Sequence, residues 1–594
     1  MKSKIVWLVL SCLMVLSLVL ASCAPTTPTT PTTPTTPTTP TTPTTPTTPT
    51  TPKEEVNWWD KWGEPQYGGT ISLRLTRDVA HFDPYYRADT HNLESLGGMD
   101  WALDREIWHF KAGYLKSEEY RAPVLAESWE QPDPLTYIFN IREGVYWHDI
   151  PPVNGRELTA YDVEYSWHRQ FGMGSGFAEP SPFIVAAEWA FLESVTATDK
   201  YTVVIKWKEP TVDMAYLTLD CARELRIVPR EAVEEWGTVD TWDHSIGTGP
   251  WMLDDYVSGS SVTYVRHPNY WGYDARHPEN KLPYADQLRD VIIPDTTTAL
   301  SALRAGKIEM IANVAWEQAK SLAKTNPELV QETSPWWGYT LDMRCDKEPF
   351  TDIKVRTAMQ MAIDIPTIAA TYYGGTVEGS PVGLIGPIIE AKSLPFDEWP
   401  EELQAGYTYD PEGAKALLAE AGYPNGFKTN TVVASNSDLE LLQVLKAYLA
   451  DINVDMDINV KEFAALRAFV QAGEHDQMHF GQEGCAFPWP ASKGLVRGYS
   501  TQLTNYTHNN DPVFDEMFET YLTAASEAEA NRLAIEADQY ALEQHWRVNI
   551  LPPTVFHIWQ PWYKGYSGEY WGYAKCLWPP GCWIDQDLKK SMGK

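Results

Sequence analysis

Basic residues are scarce in this chain. Its 47 Lys and Arg stand against 80 Asp and Glu, a formal net charge of −33 over 594 residues. So acidic a surface argues against nucleic acid and anionic membrane as partners, since basic patches hold both. Catalytic signatures are missing too. There is no G-x-S-x-G nucleophile elbow, no H-E-x-x-H, no Walker loop and no G-x-G-x-x-G. The seven cysteines include no C-x-x-C pair and no zinc-type spacing, so no metal site is expected from them. The apolar run from Ile5 to Leu20 falls short of the roughly 20 residues a spanning helix needs.

That run follows Lys2 and Lys4 and reads as the apolar part of a secretory signal over residues 1–22. It ends Leu20-Ala21-Ser22-Cys23, which resembles a bacterial lipobox; the resemblance implies that Cys23 is acylated and becomes the mature N-terminus. Residues 26–52 are nine Thr-Thr-Pro triplets. Proline at every third position fixes φ and removes donors, so neither helix nor sheet forms. A semi-rigid polyproline II stalk is expected, spanning roughly 80 Å at about 3.1 Å per residue, within an anchor-and-stalk region of residues 23–65. Its threonines are candidate O-glycosylation sites. Beyond Cys12 and Cys23, an odd set remains: Cys221, Cys345, Cys485, Cys576 and Cys582. Cys576 and Cys582 flank a Leu-Trp-Pro-Pro-Gly turn that suits a small disulfide loop, though spacing alone does not establish bridge geometry.

With 43% hydrophobic residues, the rest of the chain has material for a large core and two to four domains. Thr70 to Leu75 alternates as a first strand, and Tyr137 to Ile141 and Tyr201 to Trp207 read as further strands. Thr159, with Asp162 three residues on, is a candidate helix N-cap. Residues 245–274 combine a Gly247-Thr248-Gly249-Pro250 turn, an apolar run Trp251 to Leu253, an acidic turn, and an alternating strand Ser261 to Arg266. Helices are expected over Thr297 to Ala305, Asp352 to Ala362, Pro411 to Ala421 and near Glu527 to Trp546, with a strand at Ile308 to Ile311. Val432-Val433, a helix Leu439 to Ala450 and Ile458 to Val460 form a β-α-β pattern, which favours parallel pairing.

The order Gly-Thr-Gly-Pro-Trp at 247–251, then Arg266-His267-Pro268-Asn269-Tyr270-Trp271-Gly272, resembles the family 5 extracytoplasmic solute-binding proteins of ABC importers, which include peptide- and nickel-binding members. Further segments recur in the family's order. They include Tyr67-Gly68-Gly69-Thr70 with His81-Phe82-Asp83-Pro84, Leu125-Ala126-Glu127-Ser128-Trp129, Leu158-Thr159-Ala160-Tyr161-Asp162-Val163, Pro349-Phe350-Thr351-Asp352, and Leu417 to Gly426. The resemblance covers roughly residues 66 to 560. It implies an α/β, two-lobed periplasmic-binding-protein-like fold, with a cleft between the lobes and an extra small domain inserted in the first lobe. Residues 66–91 and 220–335 would form lobe I, 92–219 the insertion, 336–545 lobe II, and 546–594 a return to lobe I with a C-terminal tail.

The resemblance also implies a receptor rather than an enzyme, with no cofactor, delivering a small solute to ABC permease subunits outside the cytoplasm. A monomer tethered to the membrane by its N-terminal lipid is expected. Carboxylates are plentiful, so paired acids alone do not decide against glycoside hydrolysis; the resemblance does. Oligopeptide is the leading ligand class, with short oligosaccharide and nickel or a metal chelate as alternatives. Most of the 26 tryptophans belong in a core, among them Trp129, Trp251 and Trp271, but binding clefts also use aromatic walls. Candidates are Tyr85, Tyr86 and Arg87 in the first cleft loop, Trp336, Trp337 and Tyr339 at the lobe crossing, and Phe480, Phe487 and Trp489 in the second lobe. Peptide-binding relatives carry an aromatic-x-x-Asp segment whose acid pairs with the peptide α-ammonium. Phe480 matches the aromatic here and Glu483 stands at the acid's spacing, while the Asp-Pro that follows in relatives is missing. His475 and His479 lie four apart, but Gly473 and Gly481 argue against one long helix there, and both read better as surface or core residues.

Overall fold

Strand Thr70–Leu75 pairs in parallel with Gln287–Ile292, which continues antiparallel through Ser261–Arg266 to Trp251–Val257. This computed structural model describes residues 59–79, 81–86, 103–105, 121–123, 125–174, 176–177, 179–181, 190–212, 214, 226–386, 393–484, 491–566, 568 and 579–594. Ile71, Leu73 and Leu75 turn one face of the first strand into the core, as period-2 alternation requires. Asp254 and Asp255, expected in a turn, instead lie exposed within strand Trp251–Val257, at a shift in its register. The reversal falls at Ser258-Gly259-Ser260, where Gly259 takes φ +69°.

A second, antiparallel sheet is built from Ala126–Asp133, Thr136–Ile141, Thr202–Trp207 and Leu192–Ala197. Helix Ala160–Phe171 packs on it and opens with a capping box, in which Thr159 and Asp162 satisfy each other's backbone amides. One continuous apolar cluster joins this sheet to the first, running from Ile71 and Leu288 through Phe139, Trp167 and Trp207 to Trp251 and Ile584. Trp251 is fully buried in it, and Trp129 and Trp271 pack against it half-buried.

Helix Thr296–Arg304 leads into a three-stranded sheet of Met310–Val314, Thr554–Trp559 and Val330–Pro335, with helix Trp316–Thr325 between the first and last of these in the chain. The expected strand at 308–311 thus begins two residues later. The chain then crosses at Trp336-Trp337 into a five-stranded sheet. Its order is Val454–Lys461, Phe427–Ala434, Met478–Gly484, Gly338–Met343 and Arg547–Asn549. The return crossing follows Asn549, a few residues beyond the boundary read at 546, because Arg547–Asn549 still pairs with Gly338–Met343. The two crossings run side by side, with Trp336 N donating to Pro553 O at 2.8 Å. Two α/β lobes therefore meet at a pair of adjacent strands.

Within the second lobe the first three strands of that order, Val454–Lys461, Phe427–Ala434 and Met478–Gly484, are parallel, and Gly338–Met343 runs antiparallel to the last of them. Helix Leu439–Asp451 packs on the face carrying Val433, and helix Phe463–Gln471 on the face carrying Val432 and Ala434. The path therefore leaves Phe427–Ala434 on one side and returns on the other, which makes a topological switch point beside that strand. Open α/β sheets bind ligands in the crevice outside the carboxyl ends of the strands at such a point.

Candidate functional site

The first lobe presents the loop that follows strand Thr70–Leu75. Asp83 is fully buried there and takes both arms of the Arg169 guanidinium, at 2.8 and 2.6 Å. It also accepts from Tyr85 N and Val239 N. Asp240 accepts from Phe82 N at 2.8 Å and lies 3.0 Å from His81 Nδ1. These two carboxylates hold a short 3-10 turn, Pro84–Tyr86, carrying Tyr85 and Tyr86 half-buried at the lobe's edge. Arg169 lies 4.9 Å from the Tyr85 ring centroid, and the Tyr85 hydroxyl donates to Pro180 O at 3.1 Å. Burial raises the Tyr85 phenol above its ordinary pKa although Arg169 opposes it. Arg87 lies outside the described residues.

At the crossing, Trp336 and Trp337 are half-buried, and Arg497 sits 5.2 Å from the Trp337 ring centroid. Tyr339 and Phe480 turn inward. Their rings stack at 5.2 Å with planes 4° apart, inside the second-lobe core. Phe480 is 0% exposed, so it is a core residue and not the cleft wall expected of it. The reason is register: Met478 and Phe480 alternate onto the same buried face as Leu341 and Met343 across the ladder. Glu483 is the penultimate residue of strand Met478–Gly484, and Gly484 pairs with Gly338, so its backbone lies where the strand meets the crossing. Phe487 and Trp489 lie outside the described residues, as do Cys23 and Cys576. Cys582 is fully buried.

Two further tyrosines, Tyr372 and Tyr373, gather with Tyr339 at the same end of the sheet, unmarked by any local motif. The loop leaving Phe427–Ala434 ends at Asp438, whose Oδ1 caps helix Leu439–Asp451 through Leu441 N at 2.9 Å and accepts from the Tyr372 hydroxyl at 2.6 Å. The Tyr339 hydroxyl lies against the Asp438 backbone and the Gln482 side chain. Tyr373 packs edge-on to Tyr372, with ring centroids 4.9 Å apart. Burial and then the Asp438 charge push the Tyr373 and Tyr339 phenols far above their ordinary values. From the first lobe, the Trp316 indole donates to Tyr372 O at 2.8 Å. Gly374 admits it: a Cβ there would stand 2.7 Å from the ring, and φ is +59°. A second contact spans the lobes where Val212 N donates to Leu522 O at 3.0 Å.

His475 and His479 do not share a helix. His479 lies in a strand with Nδ1 3.1 Å from Asp342 Oδ2, and His475 turns Nε2 to Tyr506 O at 2.9 Å. Burial opposes ionisation of Asp342, but Arg547 and His479 outweigh it and hold the carboxyl below its usual range. Among the described residues no group of three or more His, Cys, Asp or Glu is placed to hold a metal ion, and no helix is long and apolar enough to cross a membrane.

What this arrangement offers is a junction of two lobes where tyrosine, tryptophan and main chain gather at the switch-point end of the second-lobe sheet. Such a surface suits enclosure of a small solute. The chain is 28% identical over 494 residues to heme-binding protein A of Haemophilus influenzae, covering 80% of this chain and 86% of that one. It is 25% identical over 507 residues to the periplasmic oligopeptide-binding protein OppA of Salmonella typhimurium, covering 81% and 88%. Among solved structures it resembles the periplasmic binding protein DppA of Helicobacter pylori in complex with the peptide STSA. The TM-score is 0.70 at 22% identity, over 88% of this chain and 99% of that one. Residues 121–518 match the description of bacterial extracellular solute-binding proteins, family 5. The lobes, the switch-point crevice and this match, which spans two thirds of the sequence, agree: the chain belongs to the family 5 extracellular solute-binding proteins.

Proposed function

We propose that this protein is a receptor that captures oligopeptides outside the cytoplasm and delivers them to an ABC permease. The observation that carries this reading is the junction of Gly338 and Gly484. There strand Met478–Gly484, neighbour of the switch-point strand Phe427–Ala434, ends beside the lobe crossing, and the main chain of Glu483 lies at that end of the sheet. Backbone groups at such an edge bind a peptide main chain without regard to sequence. Glu483 supplies the counter-charge for the α-ammonium, and Tyr85, Tyr86, Trp336 and Trp337 supply walls. The lobes close on the loaded state because ligand binds that state better. The likeness to an oligopeptide-binding protein and to a peptide-bound structure supports this class.

Around this core, residues 1–22 serve as the export signal, Cys23 carries the lipid, and the Thr-Pro stalk holds a monomeric receptor away from the membrane. Residues 92–219 act as an insertion on the first lobe. A second reading, capture of a tetrapyrrole, rests on the likeness to heme-binding protein A.

A thermal-shift screen of di- to hexapeptides, α- and β-linked oligosaccharides, nickel chelates and hemin separates these classes, since a tight ligand raises apparent stability by mass action. Peptides are expected to raise Tm. Glu483→Gln is expected to weaken free-amine peptides by about two orders of magnitude and N-acetylated ones little. A shift with hemin or oligosaccharide alone overturns the peptide assignment.

A further inference from the structure

Asp438 is only half engaged by the fold. Its Oδ1 serves both the helix cap and Tyr372, while no hydrogen bond among the described residues reaches its Oδ2. Tyr373, whose ring packs edge-on to Tyr372 and whose phenol feels the Asp438 charge, is 5% exposed, and its buried hydroxyl has no hydrogen-bond partner among the described residues. A buried hydroxyl without a partner is rare enough to need a reason. The charged groups felt at Tyr372 and Tyr373 are acids from several elements: Asp438 and Glu440 at the head of helix Leu439–Asp451, and Glu317 from helix Trp316–Thr325 of the first lobe. No cation is among these groups, and Lys320 of the same first-lobe helix lies 5.2 Å from the Trp316 ring centroid. The Trp316 ring packs on the same cluster from the first lobe, so a first-lobe side chain covers the niche.

We propose that this niche receives a cationic group of the ligand, an alkylammonium or guanidinium side chain of a bound peptide. Asp438 Oδ2 is the counter-charge, the Tyr373 hydroxyl accepts a second hydrogen bond, and Trp316 is the aromatic cover. A cation fits every feature at once. It takes hydrogen bonds from no one and donates to both unused oxygens. It is stabilised by the surrounding acids. An anion would meet only like charge there. Asp438 sets side-chain preference in this reading, while Glu483 keeps the α-ammonium. The inference rests on the peptide reading above.

The test is calorimetric titration of the mature protein with Ala-Lys-Ala and with its norleucine counterpart, which keeps the chain length and lacks the charge, each also N-acetylated. The lysine peptide is expected to bind about a hundredfold more tightly, whether or not it is acetylated. Asp438→Asn keeps an oxygen for the helix cap, so the fold is retained by circular dichroism, and should erase that preference while leaving the norleucine peptide unchanged. Tyr373→Phe should weaken the lysine peptide about tenfold and the norleucine peptide little. Equal binding of the two peptides by wild type, or a preference that survives Asp438→Asn, overturns the cation niche and leaves the peptide receptor standing. Failure to bind either peptide overturns the receptor reading and this inference with it.

Discussion

Arg169 and Asp83 form a two-armed ion pair sealed from solvent, at 2.8 and 2.6 Å, between the helix of the antiparallel sheet and the loop that carries Tyr85 and Tyr86. Such a pair adds little net stability against an apolar replacement, but breaking it from one side strands a buried charge at a cost of about 3–5 kcal/mol. Arg169→Met should therefore lower the unfolding free energy by that amount and also weaken ligand binding, since the Tyr85 turn loses its support. Arg169→Met combined with Asp83→Asn should recover part of the stability. Urea unfolding of both variants checks this, and a double mutant no better than the single one contradicts it.

The helix that supplies Arg169 was readable in advance, because Thr159 and Asp162 state its start in local terms. The β-α-β unit around Leu439–Asp451 was readable for the same reason: alternation, caps and period are short-range signals. The Asp438, Tyr372 and Tyr373 group was not. Asp438 and Tyr372 stand 66 residues apart in the chain and meet only because helix Ile365–Thr371 packs into the same core as helix Leu439–Asp451. Phe480 misled in the opposite way. Its motif position pointed to the cleft, whereas its alternation with Met478 pointed to the core, and the ladder obeys alternation.

Buried histidines make the fold acid-sensitive. His148 accepts from Gly247 N at Nδ1 and turns Nε2 to Gly249 O, the same carbonyl that His267 Nδ1 approaches at 3.1 Å. Burial, with His267 alongside, lowers its pKa to about 3, and burial lowers His545 and His557 to about 4. The unfolded chain takes up protons near pH 6.5 and the folded one does not, so stability is full above about 6.5 and falls as pH drops below it. His148→Asn should cost about 1–3 kcal/mol at pH 8 and flatten this acid slope. Tm measured from pH 8 to 4.5 reads both; an unchanged slope refutes the assignment.

Asp538 predicts the opposite trend. It accepts from Ile385 N at 3.1 Å in a fully buried place, and burial raises its pKa to about 7 against the pull of Leu384 N, Ile385 N and Arg547. The unfolded carboxyl ionises near 3.9, so Asp538 costs nothing below that value and progressively destabilises as pH rises towards 7. Relative to wild type, Asp538→Asn should gain Tm by several degrees more at pH 8 than at pH 4.5. A pH-independent difference would remove Asp538 from the account.

Trp316 and Tyr372 O join the lobes, so Trp316→Phe should favour the open form of the free protein by about 1 kcal/mol. Small-angle scattering should show a larger radius of gyration without ligand, and affinity should fall about fivefold. Identical scattering curves would make the contact incidental to closure.

The anchor is tested by fractionation. Cys23→Ala should move the protein from the membrane to the soluble fraction, because an unlipidated stalk has no apolar surface to insert. Retention on membranes at high salt would contradict lipid attachment at Cys23.

The neighbouring crossings at Trp336 and Pro553 have a topological corollary. Everything between them, Gly338–Asn549 at its limits, is an unbroken piece of chain whose two ends lie side by side, whereas the first lobe is assembled from the pieces on either side. A short glycine bridge from Pro335 to Thr554, which are already ladder partners, would close the first lobe on itself. The excised piece could equally be circularised. The paired crossings are thus also a pair of splice points, where one lobe can be exchanged without rerouting a strand.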